Sequence, residues 1–146
     1  MNPPSVLLDH SFLVAVANPD DEHHGEAVAS YQALIDDFVA ERHLLVARAD
    51  HLRAVAKPDL FAPIDKLHPA RQHRNAAADL VARTGAGLDE AITLVLIHRN
   101  RIRTVASFDE GLARYGVKFF APAPVNDVAS DTTDVSPVAT SISGPN

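Results

Sequence analysis

Short apolar runs and longer amphipathic segments alternate along the first 120 residues. Apolar runs bounded by turn residues predict buried strands, whereas apolar positions at helical spacing predict helices with one buried face. The pattern predicts strands at 6–8, 44–47, 102–106 and 117–120, with helices at 10–16, 22–38, 50–56, 75–83 and 110–115 and one that begins at Leu88. Alternating strands and helices are typical of a parallel sheet with helices on both faces, so the predicted fold class is α/β with about four strands.

Two segments depart from this pattern. Residues 57–72 contain three prolines and no predicted helix or strand. Residues 121–146 mix Pro, Ser, Thr, Asp, Ala and Val without a period of two or of 3.6. Such a composition cannot bury a core, which predicts a disordered tail at 121–146 after one domain at 1–120.

Charge and composition narrow the function classes. The formal net charge is −6, but three of the 19 acidic residues and none of the 13 basic ones lie in the tail. A domain that is itself acidic does not bind nucleic acid by bulk charge, so any such contact needs a local patch. The absence of cysteine, of a basic and apolar leader and of a long apolar run predicts a soluble, cytoplasmic protein with no membrane segment.

Aspartates follow two predicted strands and open one predicted helix. Asp9 ends the first strand, Asp109 lies just after the strand at 102–106, and Asp89 starts the helix before that strand. Ligands of open parallel sheets bind outside the carboxyl ends of the strands, where these three could meet. Clustered carboxylates need protonation or a cation, and oxygen ligands favour Mg²⁺ or Mn²⁺. Each aspartate alone could equally be a turn or N-cap residue.

Three stretches carry a resemblance to a known family. They read VLLDHSFLVAV from Val6, NPDDEHHGEAVASY from Asn18 and LDEAITLVLIHRNRIRTVASFDEGL from Leu88. In this order and spacing they resemble the PIN domain, and within it the VapC-like toxins of type II toxin–antitoxin pairs. The resemblance covers residues 5–120 and implies a three-layer sandwich around a central parallel sheet.

The resemblance also implies an activity. It is that of a Mg²⁺-dependent endoribonuclease in which Asp9, Asp89 and Asp109 are the catalytic, metal-binding acids. The hydroxyl groups of Ser11 and Ser107 would hydrogen-bond these carboxylates, although Ser107 could also be a plain strand-end residue. The implied partners are an RNA substrate, a cognate antitoxin and a second copy of the chain in a homodimer.

One position departs from the family pattern. The second acid of such toxins is usually a glutamate in the helix after the second strand, and the matching residue here is Ala54. Asp50 lies four residues earlier and is a possible substitute acid, or simply a helix-start residue. The alternative function is therefore a PIN-fold pseudoenzyme, or a module that binds RNA or a partner with weak or no nuclease activity.

The basic residues and the histidines carry weaker hypotheses. The candidates for contact with the RNA backbone are Arg48, Arg53, Arg99 and Arg101, the last two also explicable as a solvated helix end. The eight histidines show no known zinc-ligand spacing and are interpreted as surface or packing residues. A receiver domain and a haloacid-dehalogenase-like fold are excluded, because Arg48 and Ser11 occupy positions where those folds require an aspartate.

Overall fold

The computed structural model describes residues 3–121. The tail predicted at 121–146 therefore lies outside the described residues, apart from Ala121. The strands are β1 (Ser5–Leu8), β2 (Leu44–Arg48), β3 (Asp65–Leu67), β4 (Thr104–Ala106) and β5 (Lys118–Phe119). The helices are α1 (His10–Ala17), α2 (His24–Val39), α3 (Ala49–Val55), α4 (Arg71–Thr84), α5 (Leu88–Arg99) and a 3₁₀ helix at Glu110–Tyr115.

All five strands are parallel and lie in the order β3-β2-β1-β4-β5. The chain first builds outward from β1 through β2 to β3 and then returns to place β4 and β5 on the other side of β1. The strand order reverses between β1 and β4, which is where open parallel sheets form a crevice at their carboxyl ends. The fold thus offers a binding position beside the ends of β1 and β4.

The core consists of two apolar layers, one on each face of the sheet. Because successive strand residues point to opposite faces, Val6 and Leu8 pack with α1 and α2, whereas Leu7 packs on the other face. Helices α4 and α5 pack together through Ala77, Leu96 and neighbouring apolar residues. The result is the predicted three-layer sandwich. No helix within residues 3–121 combines the length and the apolar composition that crossing a membrane requires.

The strand count is the main correction to the predicted fold. Strand β3 lies in the segment 57–72, where no regular element was expected, and pairs with the outer side of β2. Two of its three residues are exposed, so it has no apolar signal, and Pro63 and Pro69 lie just outside it. Proline is tolerated next to an edge strand because no ladder hydrogen bond is lost there.

Helix boundaries differ from the predicted ones by a few residues. Helix α4 begins at Arg71 rather than at 75, because its first turn is polar and shows no apolar period. The imidazole of His73 accepts a hydrogen bond from the Ala70 backbone N–H (2.9 Å) and so caps this turn. Gly85 and Gly116 follow their helices in the left-handed conformation, both at φ 75°, as expected of glycine after a helix.

Candidate functional site

A small acidic pocket lies at the point where the strand order reverses. Its volume is about 200 Å³. It receives the residues that follow β1 and β4 and the first turn of α5, because the carboxyl ends of parallel strands share one edge of the sheet. The residues that line it are Asp9, His10, Ser11, Asp89, Glu90, Thr93, Asp109 and Leu112. The three predicted acids Asp9, Asp89 and Asp109 therefore share one pocket.

Two serine hydroxyl groups hold the Asp9 carboxylate. Asp9 is only 7 % exposed, and its Oδ2 accepts hydrogen bonds from the hydroxyls of Ser107 (2.9 Å) and Ser11 (3.2 Å). The Ser11 hydroxyl in turn accepts from the Phe108 backbone N–H (2.9 Å). A carboxylate with hydroxyl donors on one oxygen is oriented without being neutralised, so its negative charge stays available to a cation.

The segment after the neighbouring strand β4 presents Asp109. Its backbone N–H donates to the Ser107 hydroxyl (2.9 Å), and its Oδ1 accepts from the Gly111 backbone N–H (2.9 Å). The second contact caps the start of the 3₁₀ helix. Asp109 is exposed to solvent at the pocket mouth. It is thus both a helix cap and a pocket acid, so the two interpretations of this residue do not exclude each other.

Glu90 is an acid of the pocket that sequence reasoning did not select. Its side chain is 15 % exposed and lines the pocket, whereas an acid in the first turn of a helix is usually explained by the helix dipole. Gly111 permits this approach, because a Cβ there would lie 2.6 Å from Glu90 Oε2 and 3.0 Å from Asp109 Oδ1. A separation of 21 residues between a glycine and an acid does not predict a contact, so this contact could only be found in the folded structure.

Arg48 forms a buried polar network on the far side of the pocket. It is the last residue of β2 and is 3 % exposed. Its Nε and Nη2 donate to the two Asp50 oxygens at 3.1 and 2.6 Å. Its Nη1 lies 3.0 Å from Asp89 Oδ1 and donates to the Asp89 carbonyl (2.9 Å) and to the Thr93 hydroxyl (3.0 Å). One guanidinium therefore joins two carboxylates.

The pKa of Asp50 reflects this pairing. Burial raises the pKa of the carboxyl, but the hydrogen bonds and charge of Arg48, with a smaller contribution from His51, outweigh it and leave the pKa below its usual 3.8. Asp50 is thus ionised at neutral pH. Because both of its oxygens are bonded to Arg48, it is placed as the partner of a cation rather than as an open ligand.

His51 is the α3 residue that reaches the acids. It is 6 % exposed, its Nε2 lies 3.3 Å from Asp89 Oδ1, and its ring lies 5.1 Å from that of His10. Ala54 lines a different pocket, together with Val14, Ala17, Asn18, Pro19, Val55 and Lys57. Position 54, which matches the family's second acid, therefore does not line the acidic pocket. Three residues of helix place position 54 about 4.5 Å further along the axis than His51.

The carboxylate oxygens of the acidic pocket are the kind of ligand that a hard divalent cation prefers. Among residues 3–121, one group of three ionisable ligands has all its ligand atoms within 4.8 Å of one another, namely Asp50, His51 and Asp89. Arg48 already lies against both carboxylates of this group. The carboxylates of Asp9 and Asp109 have no cationic partner in the described hydrogen bonds and ion pairs, so the β1–β4 side of the pocket is where a cation would neutralise charge.

The four arginine candidates for RNA contact lie in different places. Arg48 is buried and fully engaged, so it is not available to a polyanion. Arg53 is exposed on α3 and lines a pocket of about 440 Å³ that also includes Lys57, Lys66 and His68. Arg99 and Arg101 lie in a groove at the opposite end of α5, about 15 Å along the helix from Asp89. Arg53 is therefore the candidate on the site's own end of the sheet.

Comparison with known proteins gives a structural match and no sequence match. No protein-family model and no curated protein matches the chain. Among solved structures it is similar to VapC20 of Mycobacterium tuberculosis, described as a toxin that cleaves the sarcin–ricin loop. The TM-score is 0.61 at 14 % sequence identity, over 77 % of this chain and 95 % of that chain. At this identity the similarity shows the fold alone, and that fold is PIN-like.

Proposed function

We propose that the chain is a Mg²⁺- or Mn²⁺-dependent endoribonuclease of the PIN/VapC type. The observation that carries the proposal is the meeting of Asp9, Asp89 and Asp109, from three separate segments, in one pocket where the strand order reverses. The similarity of the fold to a ribonuclease toxin supports it. A divalent cation in such a pocket lowers the pKa of a bound water and stabilises charge at phosphorus.

The chain's own residues supply the remaining functions. Ser11 and Ser107 fix the direction of the Asp9 carboxylate, and Arg48 and His51 fix that of Asp89. Hydrolysis would form a bond from water oxygen to phosphorus and break one P–O bond of the RNA backbone, with a nearby carboxylate taking the water proton and the departing ribose oxygen taking up a proton in turn. The pocket is open at Asp89, whose side chain is 71 % exposed, so a backbone phosphate can approach from that side.

The basic pocket beside α3 is the proposed RNA contact. Arg53, Lys57, Lys66 and His68 surround it, and Arg53 lies two residues after His51 of the acidic site. Four such groups on a domain of net negative charge form the local patch that polyanion binding requires. The RNA would thus cross from this patch to the acids.

The proposed biological role rests on the resemblance to VapC-like toxins. We assign the chain as the toxin of a toxin–antitoxin pair that acts on cytoplasmic RNA, with a small antitoxin protein as its inhibitor and a second copy of the chain as its dimer partner. A short reading frame immediately upstream, encoding an antitoxin-like protein, would support this role.

A second candidate is a PIN-fold pseudoenzyme that binds RNA or a partner. Two observations favour it. Position 54 carries no acid and lines another pocket, and Arg48 places a positive charge beside Asp89. The missing acid and the nearby guanidinium each leave less negative charge for a cation than a site with a glutamate at position 54 and no arginine would have.

Metal-dependent stability and RNA cleavage, measured together, separate the two candidates. A ligand at 100 times its Kd stabilises the folded state by about 2.7 kcal/mol, so Mn²⁺ should raise the melting temperature by several degrees over chelator. Asp109→Asn should remove most of that shift, and Asp9→Asn should abolish cleavage of single-stranded and stem-loop RNA. Metal binding without cleavage would favour the pseudoenzyme, whereas identical melting in Mn²⁺ and chelator would refute the metal site.

A further inference from the structure

The buried guanidinium of Arg48 occupies an unusual position for an arginine beside a proposed metal site. It lies 2.6 Å from Asp50 Oδ2 and 3.0 Å from Asp89 Oδ1, and it is 3 % exposed. The Asp50 contact alone, with two parallel hydrogen bonds, would satisfy Arg48 as a structural ion pair. The same group nevertheless reaches across to a pocket acid. The arrangement bridges two carboxylates in the way that a shared cation does.

The neighbouring ligand atoms would themselves suit a metal ion. Oxygens of Asp50 and Asp89 and a ring nitrogen of His51 lie within 4.8 Å of one another. Nucleases that use two metal ions hold them about 3.5–4 Å apart and share a carboxylate between them. Asp89 is the residue shared here, since it belongs both to this group and to the pocket of Asp9 and Asp109.

We propose that Arg48 is a resident cation that takes the place of a second divalent ion, so that the pocket accepts one ion only. The inference rests on the proposed function, in which the first ion binds between Asp9, Asp89 and Asp109. In this arrangement Arg48 is a positioning residue. It holds Asp89 Oδ1 on the protein side and leaves the other oxygen for the pocket, while its charge offsets the charges that a second ion would neutralise.

The proposal predicts a gain of metal binding when the arginine is removed. Arg48→Met keeps the apolar stem without the charge, which frees Asp50, His51 and Asp89 as a ligand set. Mn²⁺ stoichiometry, measured by isothermal titration calorimetry and by electron paramagnetic resonance, should rise from one ion per chain to two. Neither measurement depends on catalytic activity.

Two matched variants show which groups create the new site. Arg48→Lys retains a cation and should leave the stoichiometry at one. Arg48→Met combined with Asp50→Asn removes a ligand and should return it to one. If Arg48→Met fails to give a cooperative melt, Arg48→Gln, which keeps a hydrogen-bond donor for Thr93, replaces it in the same titration.

The difference between variant and wild type tests the inference, whereas the wild-type count tests the proposed function. One additional ion in Arg48→Met supports the role of Arg48 when the wild type binds one ion or none. No additional ion overturns it and leaves Arg48 a structural ion pair. Two ions in the wild type overturn it without any variant. A wild type that binds no ion refutes the proposed metal centre and leaves the inference to be decided by the variant alone.

Discussion

The two sides of the acidic pocket hold their carboxylates by different means. On the β1–β4 side, hydroxyls of Ser11 and Ser107 orient Asp9, and both of these donors are neutral. On the β2–α3 side, Arg48 and His51 orient Asp89. Both arrangements fix a side chain, but only the second one supplies positive charge at the same time.

The two sides therefore differ in whether a carboxylate is only oriented or is also neutralised. A neutral donor narrows the directions that a carboxylate can take and leaves its charge to attract a cation, whereas a guanidinium satisfies both needs at once. Metal affinity should therefore depend most on the β1–β4 side. The following changes test that division.

The largest effect is expected from Ser107→Ala. The substitution removes the shorter hydrogen bond to Asp9 and the acceptor for the Asp109 backbone N–H, so it disturbs both acids of the β1–β4 side. Groups that orient a metal ligand are typically worth about 10–100-fold in affinity or activity, and a loss in that range is expected for Mn²⁺ binding. Ser107→Thr retains the hydroxyl and should bind nearly as the wild type does. Equal affinities for the alanine and wild-type proteins would mean that orientation is not limiting.

A smaller effect is expected when charge is changed on the β2–α3 side. His51→Glu places a second carboxylate close to Asp89. Because two neighbouring negative charges repel each other unless a cation neutralises them, Mn²⁺ binding should tighten by roughly threefold to tenfold. Ala54→Glu is the matched control on the same helix and should change nothing, because position 54 lines another pocket. A gain in the control and not in His51→Glu would show that position 54, and not position 51, lies beside the acids. Calorimetric titration of the two variants decides it.

The stability that a carboxylate gains from a cationic partner can be measured separately at Asp37, which lies outside the acidic pocket. Asp37 accepts hydrogen bonds from Arg42 (2.8 and 3.0 Å) and lies 3.1 Å from His43 Nδ1. Hydrogen bonds from Arg42 lower the pKa of Asp37 below its usual 3.8, against the opposing effect of burial, and His43 adds to the lowering. A carboxyl whose pKa is lower in the folded state stabilises the fold above its unfolded pKa and loses that effect as the pH falls through the folded pKa.

The melting temperature should consequently fall below about pH 4, and Asp37→Asn should make that fall shallower while lowering the melting temperature slightly at pH 7. Asp36→Asn is the control, since the neighbouring Asp36 is exposed and bonds Gln32 instead. If the melting temperatures of the Asp37 variant and the wild type fall equally as the pH is lowered, the pairing with Arg42 contributes nothing to stability. Thermal melts between pH 2.5 and 7 are the measurement.

The smallest effect is expected from removal of residues 122–146. The segment carries three aspartates and no lysine or arginine, but its composition does not form a core. A chain that ends at Ala121 should retain the cooperative melt of the full protein and the same Mn²⁺ affinity. A drop of several degrees would mean that these residues pack against the domain, and a change in affinity alone would mean that their charge reaches the pocket.

The parts of the fold that the sequence predicted are those where burial alone determines the element. Strands β1 and β2 are buried on both faces and therefore appear as apolar runs. Strand β3 is mostly exposed, and its place is set by pairing with β2, which no local pattern records. The first turn of α4 is likewise polar and depends on a cap rather than on a buried face.

The site divides in the same way. The joint position of Asp9 and Asp109 follows from parallel topology, because a residue just after a strand stays at the strand's carboxyl end wherever the helices pack. Which residue of α3 lies beside the acids follows from how the helix packs on α1, so His51 could not be told from Ala54 in the sequence. Arg48 was misinterpreted for a related reason. A charged residue that ends a strand is ordinarily exposed, and its burial depends on three partners, two of them 41 and 45 residues away.

The pairing of β1 with β4 also determines when the site can exist during synthesis. The hydrogen bond from Ser107 to Asp9 joins residues 98 positions apart, so the first acid is made early and lacks its neighbours until nearly the whole domain has emerged from the ribosome. Closing a loop of that length costs conformational entropy that only a nearly complete sheet offsets. Shorter nascent chains lack both Ser107 and Asp109. A site assembled from these residues could not act on any substrate before the chain as far as Asp109 had emerged from the ribosome.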